Sequence, residues 1–100
     1  MNTLSTYKNE INALCESHRV KNLYAFGSVL TSNFNSNSDI DLLVDFKDLD
    51  IKDYADNYFD LKFSLQNILN RSVDLLELHA VKNPYFKQAL DKTKVLVYEG

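Results

Sequence analysis

The stretch that decides the fold is LYAFGSVLTSNFNSNSDIDLLVDF, which spans residues 23–46. It begins as a short apolar strand, turns at Gly27 and Ser28, passes through a loop rich in Asn and Ser, and ends in a second strand. That second strand opens with Asp39 and Asp41. Side chains two residues apart in a strand project to the same face, so these aspartates point together while the apolar residues between and after them point into a core.

Two neighbouring carboxylates are costly unless their charge is compensated. At a separation of about 6 Å they repel by roughly 2–3 kcal/mol at an effective dielectric constant of about 20. A fold keeps such a pair when both groups are well hydrated or share a cation. Hard cations such as Mg²⁺ take oxygen ligands, usually one or two carboxylates together with substrate phosphates. Asp39 and Asp41 are therefore candidate metal ligands.

The composition is that of one globular domain over residues 1–100. Hydrophobic residues make up 45% and charged residues 25% of the chain, which excludes a disordered protein. The net charge of −3 argues against a free-standing nucleic-acid binder, because such proteins normally carry a basic face. A nucleotide substrate is still compatible with this charge, since a bound divalent cation neutralises phosphates.

Features of the chain that report on its compartment favour the cytoplasm. Cys15 is the only cysteine, so an internal disulfide is impossible and a reducing environment is expected. The first ten residues, MNTLSTYKNE, lack the basic and apolar segments of a signal peptide. No apolar run approaches the roughly 18 residues of a membrane span, so we expect no membrane partner.

Hydrophobic periodicity predicts an alternation of helices and strands. The predicted elements are a helix over 4–18, strands over 20–26 and 39–46, a helix from about 50 to 70, a strand over 72–78, a helix from Asn83-Pro84 to about 92, and a strand over 94–98. The first two strands are joined by a short connection and are expected to be antiparallel neighbours, whereas the third follows a helical crossover. The predicted fold class is α/β (α+β): a small mixed sheet of about four strands with helices on one face.

Several other side chains are predicted to have structural roles. Cys15 lies on the apolar stripe of the first helix, and His18 and His79 are interpreted as structural. The acidic segment after the second strand is interpreted as a solvated turn without a metal site; its aspartates are Asp45, Asp48, Asp50 and Asp53. Core positions are predicted at aromatic residues of the last two helices, among them Tyr54, Tyr58, Phe59, Tyr85 and Phe86, and at Ala89 and Leu90.

A third acidic residue lies inside the strand SVDLLEL. Alternation places Val73, Leu75 and Glu77 on one face of this strand and Asp74, Leu76 and Leu78 on the other. An aspartate within an otherwise apolar strand is unusual. If the strands are neighbours, Asp74 joins Asp39 and Asp41 beside the Gly-Ser corner. Three carboxylates next to a phosphate-binding turn are suited to metal-assisted transfer of a nucleotidyl group.

The spaced motif resembles the signature of the DNA polymerase β superfamily of nucleotidyltransferases: Gly-Ser, ten residues, then Asp-x-Asp. The length and layout of the chain resemble the minimal nucleotidyltransferases of that superfamily. The resemblance implies that Gly27 and Ser28 hold the triphosphate of ATP and that Asp39 and Asp41 bind Mg²⁺. It further implies that Asp74 is the third carboxylate and the general base, with two Mg²⁺ ions in the site.

The resemblance also implies a partner. Minimal nucleotidyltransferases commonly pair with a HEPN-domain RNase toxin and act as the antitoxin, transferring AMP from ATP to a tyrosine of the toxin. One departure stands out: family members often have basic residues after Gly-Ser, whereas here residues 29–32 are Val, Leu, Thr and Ser. No Arg or Lys occurs between Lys21 and Lys47. We therefore expect weak activity in isolation.

Other functions are left open by the sequence. An antitoxin with little or no catalytic activity would neutralise its partner by contact alone. A nucleotidyltransferase with a small-molecule or RNA acceptor is a further alternative, and the acidic balance makes RNA the less favoured acceptor. The acceptor, the preferred base of the nucleotide and a homo-oligomeric state are not fixed by any motif.

Overall fold

The structure is a computed structural model that describes residues 2–32, 34–35 and 37–100, without the side chains of residues 2 and 3. The elements are α1 (Asn2–Thr6), α2 (Lys8–Ser17), β1 (Val20–Phe26), β2 (Ile40–Phe46), α3 (Ile51–Leu69), β3 (Val73–Glu77), α4 (Pro84–Thr93) and β4 (Val95–Glu99), with 3₁₀ turns at Gly27–Leu30 and Leu78–Ala80. The strand boundaries agree with the predicted ones to within one residue. The sequence allows one helical turn over residues 29–33, whereas the observed 3₁₀ turn begins earlier, at Gly27, and Asn33 lies outside the described residues.

The four strands form one mixed sheet in the order β3-β2-β1-β4. β1 is antiparallel to both β2 and β4, and β2 is parallel to β3, as expected for a short connection followed by a helical crossover. The predicted fold class, a small mixed sheet with helices, is confirmed. The register places Phe26 opposite Asp41, and Asp41 opposite Asp74.

The main core lies between the sheet and helices α2 and α3. Leu23, Leu42 and Leu75 of the sheet pack against Ile11 of α2 and Leu65 of α3, and all five are buried. Alternating strand residues point to the opposite face, where Phe26 and Leu43 pack against Leu90 of α4. The expectation that the helices share one face therefore holds for α2 and α3, whereas α4 covers apolar side chains on the other face.

The helical apolar stripes bury fewer aromatic residues than predicted. In α3 the buried positions are Leu61, Leu65 and Leu69, while Tyr54 and Tyr58 are half-buried and Phe59 is 49% exposed. In α4 only Leu90 is buried; Tyr85, Phe86 and Ala89 are exposed. The prediction of core roles for Phe59, Tyr85, Phe86 and Ala89 is wrong, because a helix against a small sheet buries one narrow stripe and its wider apolar flanks remain outside.

The predicted helix over 4–18 is interrupted at Tyr7. The backbone of Tyr7 has φ −106° and ψ 22°, which separates α1 from α2, while its side chain packs against the main core. Within α2, Cys15 is fully buried, and burial raises the pKa of its thiol to about 12. The predicted core role of Cys15 is confirmed. His18 ends α2 with its ring bonded to the Leu14 carbonyl at 2.7 Å and to Asp60 of α3 at 2.5 Å, which is a structural role.

The ends of α3 and α4 follow sequence signals. The Asn83 side chain accepts hydrogen bonds from the backbone N–H groups of Tyr85 and Phe86, and Pro84 occupies the first turn, as predicted. Asn70 ends α3 in the left-handed conformation at φ 53°. Over the described part of the chain, every helix is too short or too polar to cross a membrane.

Candidate active site

The corner after β1 is pressed against an aspartate of β2. Gly27 has φ +75°, a conformation that favours glycine. A Cβ atom at this position would lie 2.3 Å from Oδ2 of Asp41, closer than non-bonded atoms approach. Because Phe26 is opposite Asp41 in the sheet, the chain has to turn directly beside that carboxylate. Glycine is therefore required both by the backbone conformation and by the contact.

The aspartate in β3 faces the same region from the neighbouring strand. Asp41 and Asp74 are opposite each other in parallel register, on the face of the sheet away from the main core. Asp39 immediately precedes β2 and is exposed. Burial raises the pKa of Asp41, and the charges of Asp74 and then of Asp39 raise it further. The structure thus brings the three predicted carboxylates into one electrostatic group beside Gly27.

Ser28, the other half of the predicted corner, is half-buried and is the second residue of the 3₁₀ turn. Its carbonyl accepts hydrogen bonds from the backbone N–H and the hydroxyl of Thr31, both at 2.9 Å. These bonds fix the turn that follows Gly27. A cavity of about 470 Å³ opens next to this turn, lined by Gly27, Leu30, Thr31 and Thr93. Its volume is within the range of small-ligand pockets, which is about 300–1,000 Å³.

The loop before Asp39 is held by a residue that the sequence interpretation did not select. Arg71 donates from Nη1 to the carbonyls of Asn35 at 2.7 Å and Ser38 at 3.0 Å. Its guanidinium also lies 4.3 Å from the centre of the Phe34 ring. Arg71 comes three residues before Asp74, so one short segment supplies both an acidic residue of the site and the side chain that holds the loop before Asp39. No local sequence pattern points to this role, because the contact spans more than 30 residues.

A second polar cluster lies at the far end of the same strands. Asp45 is buried and bonded to Nε2 of His79 at 3.1 Å, and Glu77 accepts from the backbone N–H of His79 at 3.2 Å. The ligand atoms of the three residues lie within 4.8 Å of one another.

The placement of Asp45 in a solvated turn is wrong, because it is the sixth residue of β2. The structural interpretation of His79 agrees with these bonds, although its acidic partners were not foreseen. Asp45 is four residues from Asp41, about 13 Å along a strand, so the two clusters are distinct.

The carboxylates beside Gly27 suit a hard divalent cation. They offer only oxygen donors, and burial, followed by the charges of Asp74 and Asp39, raises the pKa of Asp41. Throughout the ranges that the structure describes, none of the three forms an ion pair with a lysine, arginine or histidine. A cation is thus the natural counter-charge for this group. The donor set fits such an ion by its chemistry, whereas the only three acidic, cysteine or histidine side chains of the described residues whose ligand atoms all lie within 4.8 Å of one another are Asp45, Glu77 and His79.

Comparison with known proteins agrees with this geometry. The family model described as polymerase beta, nucleotidyltransferase, matches residues 9–100. The chain belongs to the polymerase β nucleotidyltransferase family. The resemblance carried by the Gly-Ser and Asp-x-Asp motifs is therefore confirmed, and the chain is a nucleotidyltransferase by family.

Two relatives of this nucleotidyltransferase come from Methanocaldococcus jannaschii, and both are provisionally named protein adenylyltransferases. MJ0128 is 34% identical over 97% of this chain and 100% of its own length. MJ1379 is 30% identical over the same shares of the two chains. The nucleotidyltransferase described here therefore corresponds to the whole of each relative.

Several solved structures share the fold of this nucleotidyltransferase. A toxin–antitoxin crystal structure with AMP-PNP is 25% identical, with a TM-score of 0.71 over 93% of this chain and 73% of that one. A structure provisionally described as a minimal nucleotidyltransferase has a TM-score of 0.78 at 24% identity, over 94% and 92% of the two chains. A complex of a tri-AMPylated HEPN toxin with an MNT antitoxin, from Shewanella oneidensis, has a TM-score of 0.65 at 23% identity, over 97% and 73%.

Proposed function

We propose that this nucleotidyltransferase transfers AMP from ATP to a tyrosine of a HEPN-domain RNase and thereby acts as the antitoxin of a toxin–antitoxin pair. The observation that carries the proposal is the register of Asp41 opposite Asp74, next to the glycine corner. The names of the relatives support a protein acceptor, and the neighbouring complex of an AMPylated HEPN toxin supports the class of partner.

The site residues have separate roles in this proposal. Gly27 and Ser28 receive the triphosphate at the turn, where the backbone can approach a phosphate closely because no Cβ intervenes. Asp39, Asp41 and Asp74 hold Mg²⁺, with two ions in the site. When bound, these ions supply the positive charge that phosphate oxygens and a displaced pyrophosphate require.

The transfer itself needs one base. The tyrosine oxygen of the acceptor attacks the α-phosphorus of ATP, and a new O–P bond forms as the bond from that phosphorus to the α,β-bridging oxygen breaks. Pyrophosphate leaves with the bonding electrons. The phenol proton passes to the Asp74 carboxylate, which is exposed, whereas Asp41 is half-buried beneath the corner. Asp74 is thus accessible to an incoming acceptor, as is Asp39, and Asp74 is the base that the family resemblance implies.

The shortage of basic side chains near the site limits the rate of AMP transfer when this chain acts alone. Residues 22–46 contain no Lys or Arg, and the guanidinium of Arg71 is engaged with the loop carbonyls. The phosphates of ATP therefore depend on the cations, on backbone N–H groups and on side chains of the partner. We expect transfer to be slow without the partner and faster within the complex.

The absence of Lys and Arg from residues 22–46 also favours a second candidate, an antitoxin that neutralises its partner by contact with little or no transfer. A nucleotidyltransferase with a small-molecule or RNA acceptor is a third candidate. The net charge of −3 disfavours RNA, because phosphate backbones are bound chiefly by Lys and Arg.

The test is a transfer assay in which the product of the adjacent gene is the candidate acceptor. ATP labelled at the α-phosphate, Mg²⁺ and both proteins are incubated, and ATP labelled at the γ-phosphate serves as the control for phosphate transfer. We expect the α-label alone to appear on the toxin, to be lost with the Asp39→Asn/Asp41→Asn double variant, and to persist with the matched Asp48→Asn variant in the exposed turn. Absence of label, with the toxin still neutralised by the double variant, would establish the contact antitoxin instead.

A further inference from the structure

The strand that carries Asp74 is at the edge of the sheet. β3 pairs only with β2 among the described strands, so its outer backbone groups have no strand partner. The Ile40 N–H donates to the Ser72 carbonyl at 3.0 Å, which orients the backbone of residue 72 toward β2. Because the direction alternates along a strand, the backbone groups of Asp74 also face β2, and those of Val73 and Leu75 face outward.

Helix α3 supplies partners for the outward groups on both sides of Asp74. Oε1 of Gln66 accepts a hydrogen bond from the Val73 N–H at 3.0 Å. The Tyr58 hydroxyl donates to the Leu75 carbonyl. The two residues adjoining Asp74 in the chain are thus each fixed from the outer edge by a side chain of α3.

The arrangement follows from the way α3 and β3 are connected. α3 ends at Leu69 and the chain returns as β3 beginning at Val73, so the later residue of α3, Gln66, meets the earlier part of the strand. The Tyr58 ring is itself held, stacked on Tyr54 at a centroid distance of 6.5 Å and edge-on to Phe59 at 5.0 Å.

The hydrogen bonds from Tyr58 and Gln66 reach the backbone of β3 and not the side chain of Asp74. The side chains of Val73 and Leu75 are buried in the main core, 3% and 2% exposed. The Asp74 side chain points to the opposite face and is exposed. Neither Tyr58 nor Gln66 therefore needs to touch the carboxylate in order to fix its position.

We propose that Tyr58 and Gln66 are positioning residues for Asp74. By anchoring the strand before and after Asp74, they set the position of its carboxylate relative to that of Asp41. The inference rests on the proposed role of Asp74 as a cation ligand. Without the anchors, an edge strand of five residues is free to shift relative to β2, and a displacement of about 1 Å is enough to impair a preorganised site.

The experiment compares Tyr58→Phe and Gln66→Leu with two controls. Gln66→Glu keeps an acceptor for the Val73 N–H, and Tyr54→Phe removes a hydroxyl from the same helix while keeping its ring contacts. Binding of Mn²⁺ alone is measured by calorimetry, and exchange of the Val73 amide hydrogen is measured by NMR without metal. A core variant, Ile11→Val, reports what a loss of stability alone does to Mn²⁺ affinity.

We expect Gln66→Leu to speed exchange at Val73 by about tenfold. Tyr58→Phe and Gln66→Leu are each expected to weaken Mn²⁺ binding by roughly threefold to tenfold, while Gln66→Glu, Tyr54→Phe and Ile11→Val stay within about twofold of the parent protein. Unchanged Mn²⁺ affinity in folded Tyr58→Phe and Gln66→Leu would overturn the inference. An equal loss in Ile11→Val would also overturn it, since stability alone would then explain the effect.

The outcome is separable from that of the proposed function. Weakened Mn²⁺ binding in the two variants, with no AMP transfer by the parent protein, supports the positioning role and removes the proposed activity. AMP transfer by the parent protein, with unchanged Mn²⁺ binding in the variants, supports the proposed activity and overturns the positioning role. A parent protein that fails to bind Mn²⁺ overturns both.

Discussion

At the scale of single residues, the contact between Gly27 and Asp41 is the tightest constraint on the site. Gly27→Ala is expected to lower the free energy of unfolding by about 2 kcal/mol, because the backbone has positive φ and the new methyl group meets the carboxylate. Urea unfolding measures the loss.

A double-mutant cycle separates the two causes of that loss. With Asp41→Ala in the background, the nearest carboxylate atoms are removed, and the cost of Gly27→Ala is expected to fall by about 1 kcal/mol. The remainder is the cost of positive φ. Strict additivity of the two substitutions would show that the corner does not press against the aspartate.

The charge of Asp41 gives a prediction with a definite sign. The pKa of Asp41 is raised above its ordinary value of 3.8, first by burial and then by Asp74 and Asp39. Between 3.8 and the raised pKa the folded state binds more protons than the unfolded state, so stability falls as pH rises through that window. Without metal, Asp41→Asn is therefore expected to be more stable than the parent protein at pH 7, by roughly 0.5–1 kcal/mol.

The measurement is urea unfolding in chelator at pH 7 and at about pH 3, where Asp41 is protonated in both states and the difference is expected to disappear. Asp48→Asn, in the exposed turn after β2, serves as the control and is expected to change little. An Asp41→Asn protein that is less stable than the parent at pH 7 would contradict the raised pKa of Asp41 in the folded protein.

At the scale of elements, Arg71 links the start of β3 to the loop before Asp39. Arg71→Ala is expected to cost about 1–2 kcal/mol, because two carbonyls lose a charged donor and the Phe34 ring loses a cation. Amide exchange at residues 34, 35, 37 and 38 is expected to speed up more than exchange in α2. Arg71→Lys keeps the charge but not the planar fork, so an intermediate effect is expected. Exchange that is unchanged in Arg71→Ala would show that the loop is held by other contacts.

The elements differ in how far their sequences predict them. Strand positions and the caps at Asn83 and Pro84 follow from local chemistry, so alternation and turn residues predict them well. The aromatic flanks of α3 and α4 are not predictable in the same way, since whether Phe59 or Phe86 is buried depends on the width of the sheet beneath it. The break at Tyr7 has no Gly or Pro to announce it.

The candidate site likewise contains residues that the local sequence predicts and residues that it does not. The motif residues Gly27, Asp39 and Asp41 lie in one short segment of the sequence and are predictable from their spacing. Asp74 was selected because an acid inside an apolar strand is unusual. The roles of Tyr58, Gln66 and Arg71 at the site were not predicted, because their contacts with β3 or with the loop before Asp39 join segments that are distant in the chain.

At the scale of the whole molecule, the residues that stabilise the fold and the residues of the candidate site lie on opposite faces of the sheet. One face is covered by α2 and α3 and contains the main core, while the other carries the carboxylates and is covered in part by Leu90 of α4. The site is therefore anchored from behind by the core and open in front. Such an arrangement lets a partner approach the carboxylates without disturbing the packing that holds them.

The carboxylates beside Gly27 are expected to bind a divalent cation, and paramagnetic NMR with Mn²⁺ tests this claim most directly. Substoichiometric Mn²⁺ broadens amide signals near the ion, and two separate carboxylate clusters are present in the described residues. We predict that the signals of Gly27, Asp41 and Asp74 broaden first, and that Asp74→Asn reduces the effect. Broadening centred instead on Asp45 and His79, or none at all, would contradict the claim.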